Sequence, residues 1–352
     1  MLKEVGIRPI SKSRLHTVDM NNIPFGRIFS DHMLMAKYEE GEWTEAEIVP
    51  YDNLSLAPSI SVLSYGQSVF EGMKASRGPL GEPMLFRPED NFRRMNFSAT
   101  RLCMPEIPQN IFLDGLYKLI KLDEAWIPPA GKGSLYIRPV MFAVDRYVGI
   151  KPSSSYMFLI FTCPVGPYYT EPVNLLASKE YIRAAPGGVG TAKAAGNYAA
   201  SLLAAKEAKR KGYHNILWLD SKDHMFVEEC GTMNIFFVIN GTVVTPSNTG
   251  SILSGITRDS SLRLLRDNGY RVEVRRVSIY ELEEAFMYGQ LTEAFGTGTA
   301  ATIAPINRIG FNGRDLQLPP LKDRPITNWL SKTLDDIKHG VEDDIYNWVV
   351  KI

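Results

Sequence analysis

The chain has 352 residues, with 39 Lys plus Arg against 39 Asp plus Glu, 45% hydrophobic residues and 22% charged ones. That composition suits a folded chain of about two domains. It excludes disorder, which needs fewer apolar side chains and a larger net charge, and leaves no Lys/Arg surplus for binding nucleic acid through a basic surface. Three cysteines, Cys103, Cys163 and Cys230, are too few and too scattered for a disulfide framework or a zinc cluster, so a cytoplasmic location is expected. Apolar runs such as residues 157–161 and 235–239 fall far short of a signal peptide or a membrane span, and no membrane partner is expected.

In chain order, residues 135–144 and 156–163 read as strands, rich in β-branched and aromatic side chains. Cys163-Pro164-Val165-Gly166-Pro167 and the following Pro172 then read as a break, because proline cannot continue a central strand. This divides the chain into a small N-terminal α/β domain (1–166), a linker (167–176) and a larger C-terminal domain (177–352). Residues 197–211 predict an Ala-rich helix closed by Gly212, followed by a strand at 215–219. Residues 234–239 and 242–245 flank Asn240-Gly241, a hairpin signal, since Asn-Gly accepts the positive φ of a type I′ turn. Residues 258–268 form an amphipathic helix pattern ended by Gly269, and Ser278 with Glu281 predicts a capping box opening a short helix. Residues 290–295 read as a buried strand leading into a Gly/Thr-rich turn at 296–299. Strands and helices interleave but hairpins are common, so the expected fold class is mixed α/β (α+β) rather than a parallel barrel.

Residues 187–193, Gly-Gly-Val-Gly-Thr-Ala-Lys, fit neither phosphate-loop pattern: Ala stands on both sides of the lysine, and a dinucleotide fingerprint needs glycine where Lys193 stands. What remains is a lysine crowded by Ala192, Ala194, Ala195 and Gly196, just before a helix. Alone, such a lysine is usually a solvated loop residue; a desolvating setting is also what a Schiff-base lysine requires. Glu228-Glu229 lies between apolar segments, so at least one carboxylate is expected to face inward and need a cation. Gly255 precedes a helix N-terminus, which suits a phosphate, and Gly296-Thr297-Gly298-Thr299 offers further donors. Singly these are caps and turns. Together with the lysine they favour a phosphate-bearing cofactor with a carbonyl.

The combination resembles the branched-chain amino acid aminotransferases, which are fold type IV pyridoxal-phosphate enzymes. The resemblance runs over nearly the whole chain, from Phe25-Gly26, Phe29-Ser30-Asp31-His32-Met33-Leu34 and Phe70-Glu71-Gly72-Met73-Lys74 through Arg101-Leu102-Cys103-Met104-Pro105, Tyr136-Ile137-Arg138-Pro139 and Cys163-Pro164-Val165-Gly166. It continues through Lys193-Ala194-Ala195-Gly196-Asn197-Tyr198, Glu229-Cys230-Gly231-Thr232-Met233-Asn234 and Phe295-Gly296-Thr297-Gly298-Thr299. It implies a two-domain fold type IV architecture, a homodimer, pyridoxal 5′-phosphate as cofactor, and branched-chain L-amino acids, 2-oxoglutarate and glutamate as small-molecule substrates. Carried over residue by residue, Lys193 is the Schiff-base lysine and proton-transfer base, Glu229 pairs with the pyridine nitrogen, and Tyr198 bonds the ring hydroxyl oxygen. Arg94, with Ile256, Thr257 and Thr299, meets the phosphate, and Arg183 supports the cofactor site. Tyr65, Phe70, Tyr136 and Tyr168 form the substrate wall, Thr232 and Ala300 lie near the α-carboxylate, and Arg138 takes the γ-carboxylate of glutamate. Related readings on the same fold are a D-amino acid aminotransferase, an aminodeoxychorismate lyase and an inactive ligand-binding relative; the intact Lys193 and Glu229 argue against the last. Some relatives carry a Cys-x-x-Cys pair where this chain has Ala301 and Ala304, so redox control by that route is not expected.

Overall fold

The computed structural model describes residues 5–166 and 171–352, so Tyr168 and the start of the expected linker lie outside the described residues. The chain divides into two compact units, one of residues 1–168, 192–196 and 336–352, the other of 169–191 and 197–335. The division is not contiguous, and the first unit is the larger. The short segment carrying Lys193 and the C-terminal stretch both belong to the first unit, where the sequence suggested one uninterrupted second domain from 177 to 352.

The first unit is built on a sheet of ten strands among the described residues. Its centre is the antiparallel pair Ser134–Ala143 and Tyr156–Val165, registered from Ser134 opposite Val165 to Ala143 opposite Tyr156. Strand His32–Glu39 pairs on the far side, from Met33 opposite Phe161 to Tyr38 opposite Tyr156. Leu34, Phe158 and Ile160 join Phe112, Leu116 and Leu119 of the helical segment 110–122 in one core cluster. The strand expected to end at Cys163 runs on through Pro164 to Val165. Its pairing with His32–Glu39 stops at Phe161, so Pro164 sits where the strand has only one neighbouring strand and its missing N–H breaks no second ladder.

The second unit holds a sheet of nine strands among the described residues. Val173–Ser178 runs parallel to both Asn215–Leu219 and Thr302–Phe311, while Leu291–Gly298 pairs antiparallel with Asn234–Ile239 and Thr302–Phe311. The mixed α/β reading holds. Strand Asn215–Leu219 and the hairpin strands Asn234–Ile239 and Thr242–Thr245 form as expected, with Asn240 at φ 48° and Gly241 at φ 73°. Helices Ala195–Arg210 and Ile256–Asp267 are followed by Gly212 (φ 80°) and Gly269 (φ 78°), the left-handed positions at which glycine ends a helix without steric cost.

Two local expectations need correction. Ser278 caps helix Ile279–Met287 by accepting from Tyr280 N, but Glu281 does not reach back to complete a capping box. Its carboxylate instead takes Arg275, with Nη2 to Oε1 at 2.6 Å, because a charged donor holds a carboxylate more strongly than a backbone amide does. The Gly/Thr-rich turn begins later than the sequence suggested, since the strand continues to Gly298. A Cβ at Gly296 would stand 2.8 Å from Met233 Cε and 3.0 Å from Cys230 Sγ, so this glycine permits close packing within the sheet rather than a turn. Among the described residues no helix is long and apolar enough to cross a membrane, and no cluster of His, Cys, Asp and Glu is placed to hold a metal.

Candidate active site

In the first unit the candidate residues gather around Phe70, the last residue of strand Ser68–Phe70. The lysine segment adds to that strand's edge: Val69 bridges Ala194, and Phe70 N donates to Lys193 O at 3.1 Å. Lys193 N in turn donates to Ser98 Oγ at 2.9 Å, on helix Pro88–Arg101. The lysine backbone is thus fixed from two sides while its Nζ lies 4.9 Å from the Phe70 ring centroid. Ala192 and Ala194 are buried, but Ala195 is only partly covered and Gly196 is exposed, so the crowding expected around the lysine is realised on one side only.

Arg138 approaches the same ring, its guanidinium carbon 4.7 Å from the Phe70 centroid and 5.3 Å from that of Tyr136. Its Nη2 donates to Tyr136 Oη at 3.0 Å, and its buried Nε has no acceptor. No carboxylate pairs with Arg138 among the described residues. A guanidinium held on aromatic faces, without an acidic partner, retains donors for an incoming carboxylate. Tyr136 needs the neighbouring Gly72, where a Cβ would fall 2.3 Å from Tyr136 Oη. Tyr65 ends the short helix Ser61–Tyr65 as an exposed residue, and among the described residues no hydrogen bond or ring contact is seen to join it to this cluster.

Arg94 sits on the same helix as Ser98 and forms a fork with Glu71, Nε to Oε1 at 2.7 Å and Nη2 to Oε2 at 2.9 Å. Glu71 is fully buried, so the pair neutralises a charge that burial would otherwise forbid. Sequence reasoning gave no role to Glu71 or Ser98. The signal for Ser98 was its place one helical turn after Arg94, whose carbonyl accepts its hydroxyl at 2.8 Å.

In the second unit a hollow is lined by Arg183, Asn197, Tyr198, Glu229, Gly231 and Thr232, bringing together four of the residues named from the sequence. Glu229 lies on strand Val227–Cys230, which pairs Cys230 with Leu217 and Val227 with Leu219. Three steps on one strand against two on the other make a bulge, the device by which a sheet re-aims a side chain. Glu229 Oε2 accepts from Arg183 Nε at 2.8 Å and its Oε1 from Leu253 N at 2.7 Å. Arg183 also donates to Gly190 O at 3.0 Å and Ser251 O at 3.1 Å. Arg183 balances the charge of this buried carboxylate, whose oxygens can accept further hydrogen bonds from a protonated ring nitrogen.

After the bulge, Gly231 turns the chain at φ 55°, where a Cβ would meet Asn215 Nδ2 at 2.5 Å. Asn234 then pairs with Thr297, which sets the end of the Thr232 turn alongside the end of the strand leading to Thr299 and Ala300. Asn234 Nδ2 also donates to Leu253 O at 2.9 Å, and a Cβ on Gly255 would fall 1.9 Å from Asn234 Oδ1. Gly255 is the N-cap of helix Ile256–Asp267 and, as a glycine, offers that terminus no side-chain cap. Its first amides, those of Ile256 and Thr257, have the orientation and partial positive charge that suit a phosphate.

Residues 68–309 match the family model described as amino-transferase class IV. A relative from Bacillus subtilis (strain 168), branched-chain-amino-acid transaminase 1, is 44% identical over 339 residues, covering 95% of either chain. The crystal structure of the Escherichia coli branched-chain amino acid aminotransferase is similar with a TM-score of 0.73 and 28% identity, covering 91% of this chain and 98% of that one. That of a T.th. branched-chain amino acid aminotransferase complexed with N-(5′-phosphopyridoxyl)-L-glutamate is similar with a TM-score of 0.72 and 26% identity, covering 90% and 97%.

Proposed function

The chain belongs to the class IV aminotransferases, and from that premise we propose that it is a branched-chain-amino-acid transaminase using pyridoxal 5′-phosphate. It exchanges the amino group of L-leucine, L-isoleucine or L-valine with 2-oxoglutarate in two alternating half-reactions. The observation that carries this reading is the 44% identity to the Bacillus subtilis transaminase over 95% of both chains. The solved relative holding a phosphopyridoxyl group joined to L-glutamate supports the cofactor and the second substrate together.

The bound cofactor supplies a carbonyl carbon that an amine can attack and a ring that accepts an electron pair. This chain's residues do the rest. Lys193 Nζ would hold the cofactor carbonyl and, when freed by a substrate amine, would take the proton from the substrate α-carbon. Glu229 would hold a proton on the ring nitrogen, with Arg183, 2.8 Å away, balancing the carboxylate's charge. Tyr198 bonds the ring hydroxyl oxygen. Ile256 and Thr257 amides and the Thr299 hydroxyl would hold the phosphate, and the family resemblance gives Arg94 a phosphate contact as well. Phe70, Tyr136, Tyr65 and Tyr168 form the wall for an apolar side chain, with Thr232 and Ala300 at the α-carboxylate. When glutamate replaces leucine, Arg138 turns its fork from the rings to the γ-carboxylate. The working form is a homodimer.

A panel of L- and D-amino acids with 2-oxoglutarate, read as glutamate formed, tests the substrate. Branched L-amino acids are expected to lead, and a preference for D-amino acids would replace the reading with a D-amino acid aminotransferase. Lys193→Ala is expected to abolish transamination and leave the fold intact. Borohydride reduction and peptide mapping check it, and a label on any other lysine would overturn the assignment.

A further inference from the structure

Glu228, next to Glu229, has no part in the reaction as described. It is 4% exposed and sits on the same bulge of strand Val227–Cys230. On a regular strand two successive side chains would leave from opposite faces; the bulge lets both carboxyls reach one segment, residues 249–253. Glu228 Oε1 accepts from the Ser251 hydroxyl and, at 3.5 Å, from Thr249 Oγ1. Ser251 and Thr249 hydroxyls also bond each other at 2.9 Å. The same segment gives Ser251 O to Arg183 at 3.1 Å and Leu253 N to Glu229 at 2.7 Å. Two residues further on stands Gly255, the cap of the helix whose amides face the phosphate in the proposed function.

Charge is unequally divided between the two carboxyls. Arg183 stands on Glu229, whereas the partners of Glu228 are hydroxyls and its buried Oε2 has none. Two ionised carboxylates on adjacent buried residues, with one guanidinium between them, are a poor solution; leaving one of them protonated removes both the repulsion and the desolvation of a second charge. We propose that Glu228 is a positioning residue: an uncharged carboxyl that fixes segment 249–253 through Ser251, so that Glu229, Arg183 and the phosphate-facing helix end hold one geometry. The inference rests on the cofactor reading above. Burial, and then the neighbouring Glu229 charge, push the Glu228 carboxyl above its ordinary value, although the Ser251 bond acts the other way. The other charged groups facing it are Arg183 and Asp220, with Lys222 and Arg276 in the wall of the cavity beside it, about 260 Å³ in volume.

The test compares Glu228→Gln with Glu228→Ala and Ser251→Ala in the full-length chain. An amide keeps an acceptor oxygen for Ser251 without a charge; alanine removes it. The dissociation constant for pyridoxal 5′-phosphate, read by absorbance, is expected to rise about tenfold in Glu228→Ala and Ser251→Ala, and to stay within about twofold of wild type in Glu228→Gln. A second readout needs no cofactor. A carboxyl whose folded value lies above its unfolded one contributes fully below the unfolded value, and the contribution is lost as pH rises towards and through the folded value. The melting temperature of cofactor-free Glu228→Gln should therefore gain on wild type as pH rises from about 5 to 8. Equal losses in the Gln and Ala variants, or a Gln-minus-wild-type difference flat with pH, would overturn the uncharged role. Unchanged cofactor affinity in Glu228→Ala and Ser251→Ala would overturn the positioning role. Failure of the wild-type chain to take up the cofactor would instead strike the reading of the site, and the pH series on cofactor-free protein still judges the charge on Glu228.

Discussion

Each unit contains an arginine paired with a buried carboxylate, and the two pairs are built differently. In the first, Arg94 offers Nε and Nη2 to both oxygens of Glu71, fork to fork, at 2.7 and 2.9 Å. In the second, Arg183 offers only Nε to Glu229 and uses its other donors on the Gly190 and Ser251 carbonyls. The direction of Glu229 is then set by a backbone amide, Leu253 N, and by the bulge beneath it. A fork-to-fork pair orients both partners at once and suits a clasp between strand and helix. A pair with one contact between guanidinium and carboxylate balances the charge and leaves the carboxylate able to accept from a ligand. Arg138 marks the other extreme, a guanidinium on two aromatic rings with no carboxylate among the described residues. The same side chain thus serves as clasp, charge balance and reserved donor, according to what its neighbours supply.

Breaking the pairs should separate these roles. The largest effect is expected from Glu229→Gln. An amide cannot hold the ring-nitrogen proton by charge, so kcat should fall by about a thousandfold, roughly 4 kcal/mol of barrier, with cofactor still bound. Single-turnover kinetics with leucine check it, and a rate within about threefold of wild type would erase the distinction between the two pairs. Glu71→Ala should act on stability instead. It leaves the Arg94 guanidinium without its fork, at a cost of about 3 kcal/mol in denaturant unfolding. Unchanged stability would remove the clasp role of the Arg94 pair.

Arg138→Met tests the reserved donor. KM for glutamate and 2-oxoglutarate should rise about tenfold, near 1.4 kcal/mol, while that for leucine changes less than about threefold. Equal weakening of the two half-reactions would remove the dual role. The smallest effect is expected away from all three arginines. Ser278→Ala deletes the cap of helix Ile279–Met287 and should cost about 1 kcal/mol of stability with kcat unchanged. A change in kcat there would mean that activity simply follows global stability, which would blunt the comparison.

Much of the second unit was legible because its signals are local. Asn240-Gly241 makes its hairpin, Gly212 and Gly269 follow their helices, and strand Asn215–Leu219 has its expected bounds, each decided by a few residues' own backbone preferences. Lys193, Glu229, Phe70 and Tyr136 were named from family motifs, and the structure sets Lys193 and Arg138 against the Phe70 ring and Arg183 against Glu229.

Other features depended on neighbours far away in the chain. Pro164 could remain in a strand because the pairing of strand His32–Glu39 ends at Phe161. Gly296 looked like turn chemistry and is a packing glycine, because Met233 and Cys230 lie against it. Glu281 was expected to cap its helix and instead pairs with Arg275. The sequence shows two adjacent glutamates, Glu228 and Glu229, of equal standing. Only the bulge, Arg183 and Ser251 assign the cation to one and a hydroxyl to the other. Backbone preference is settled within a few residues, but the energy of a buried charge depends on what surrounds it, and that is set by the folded chain as a whole.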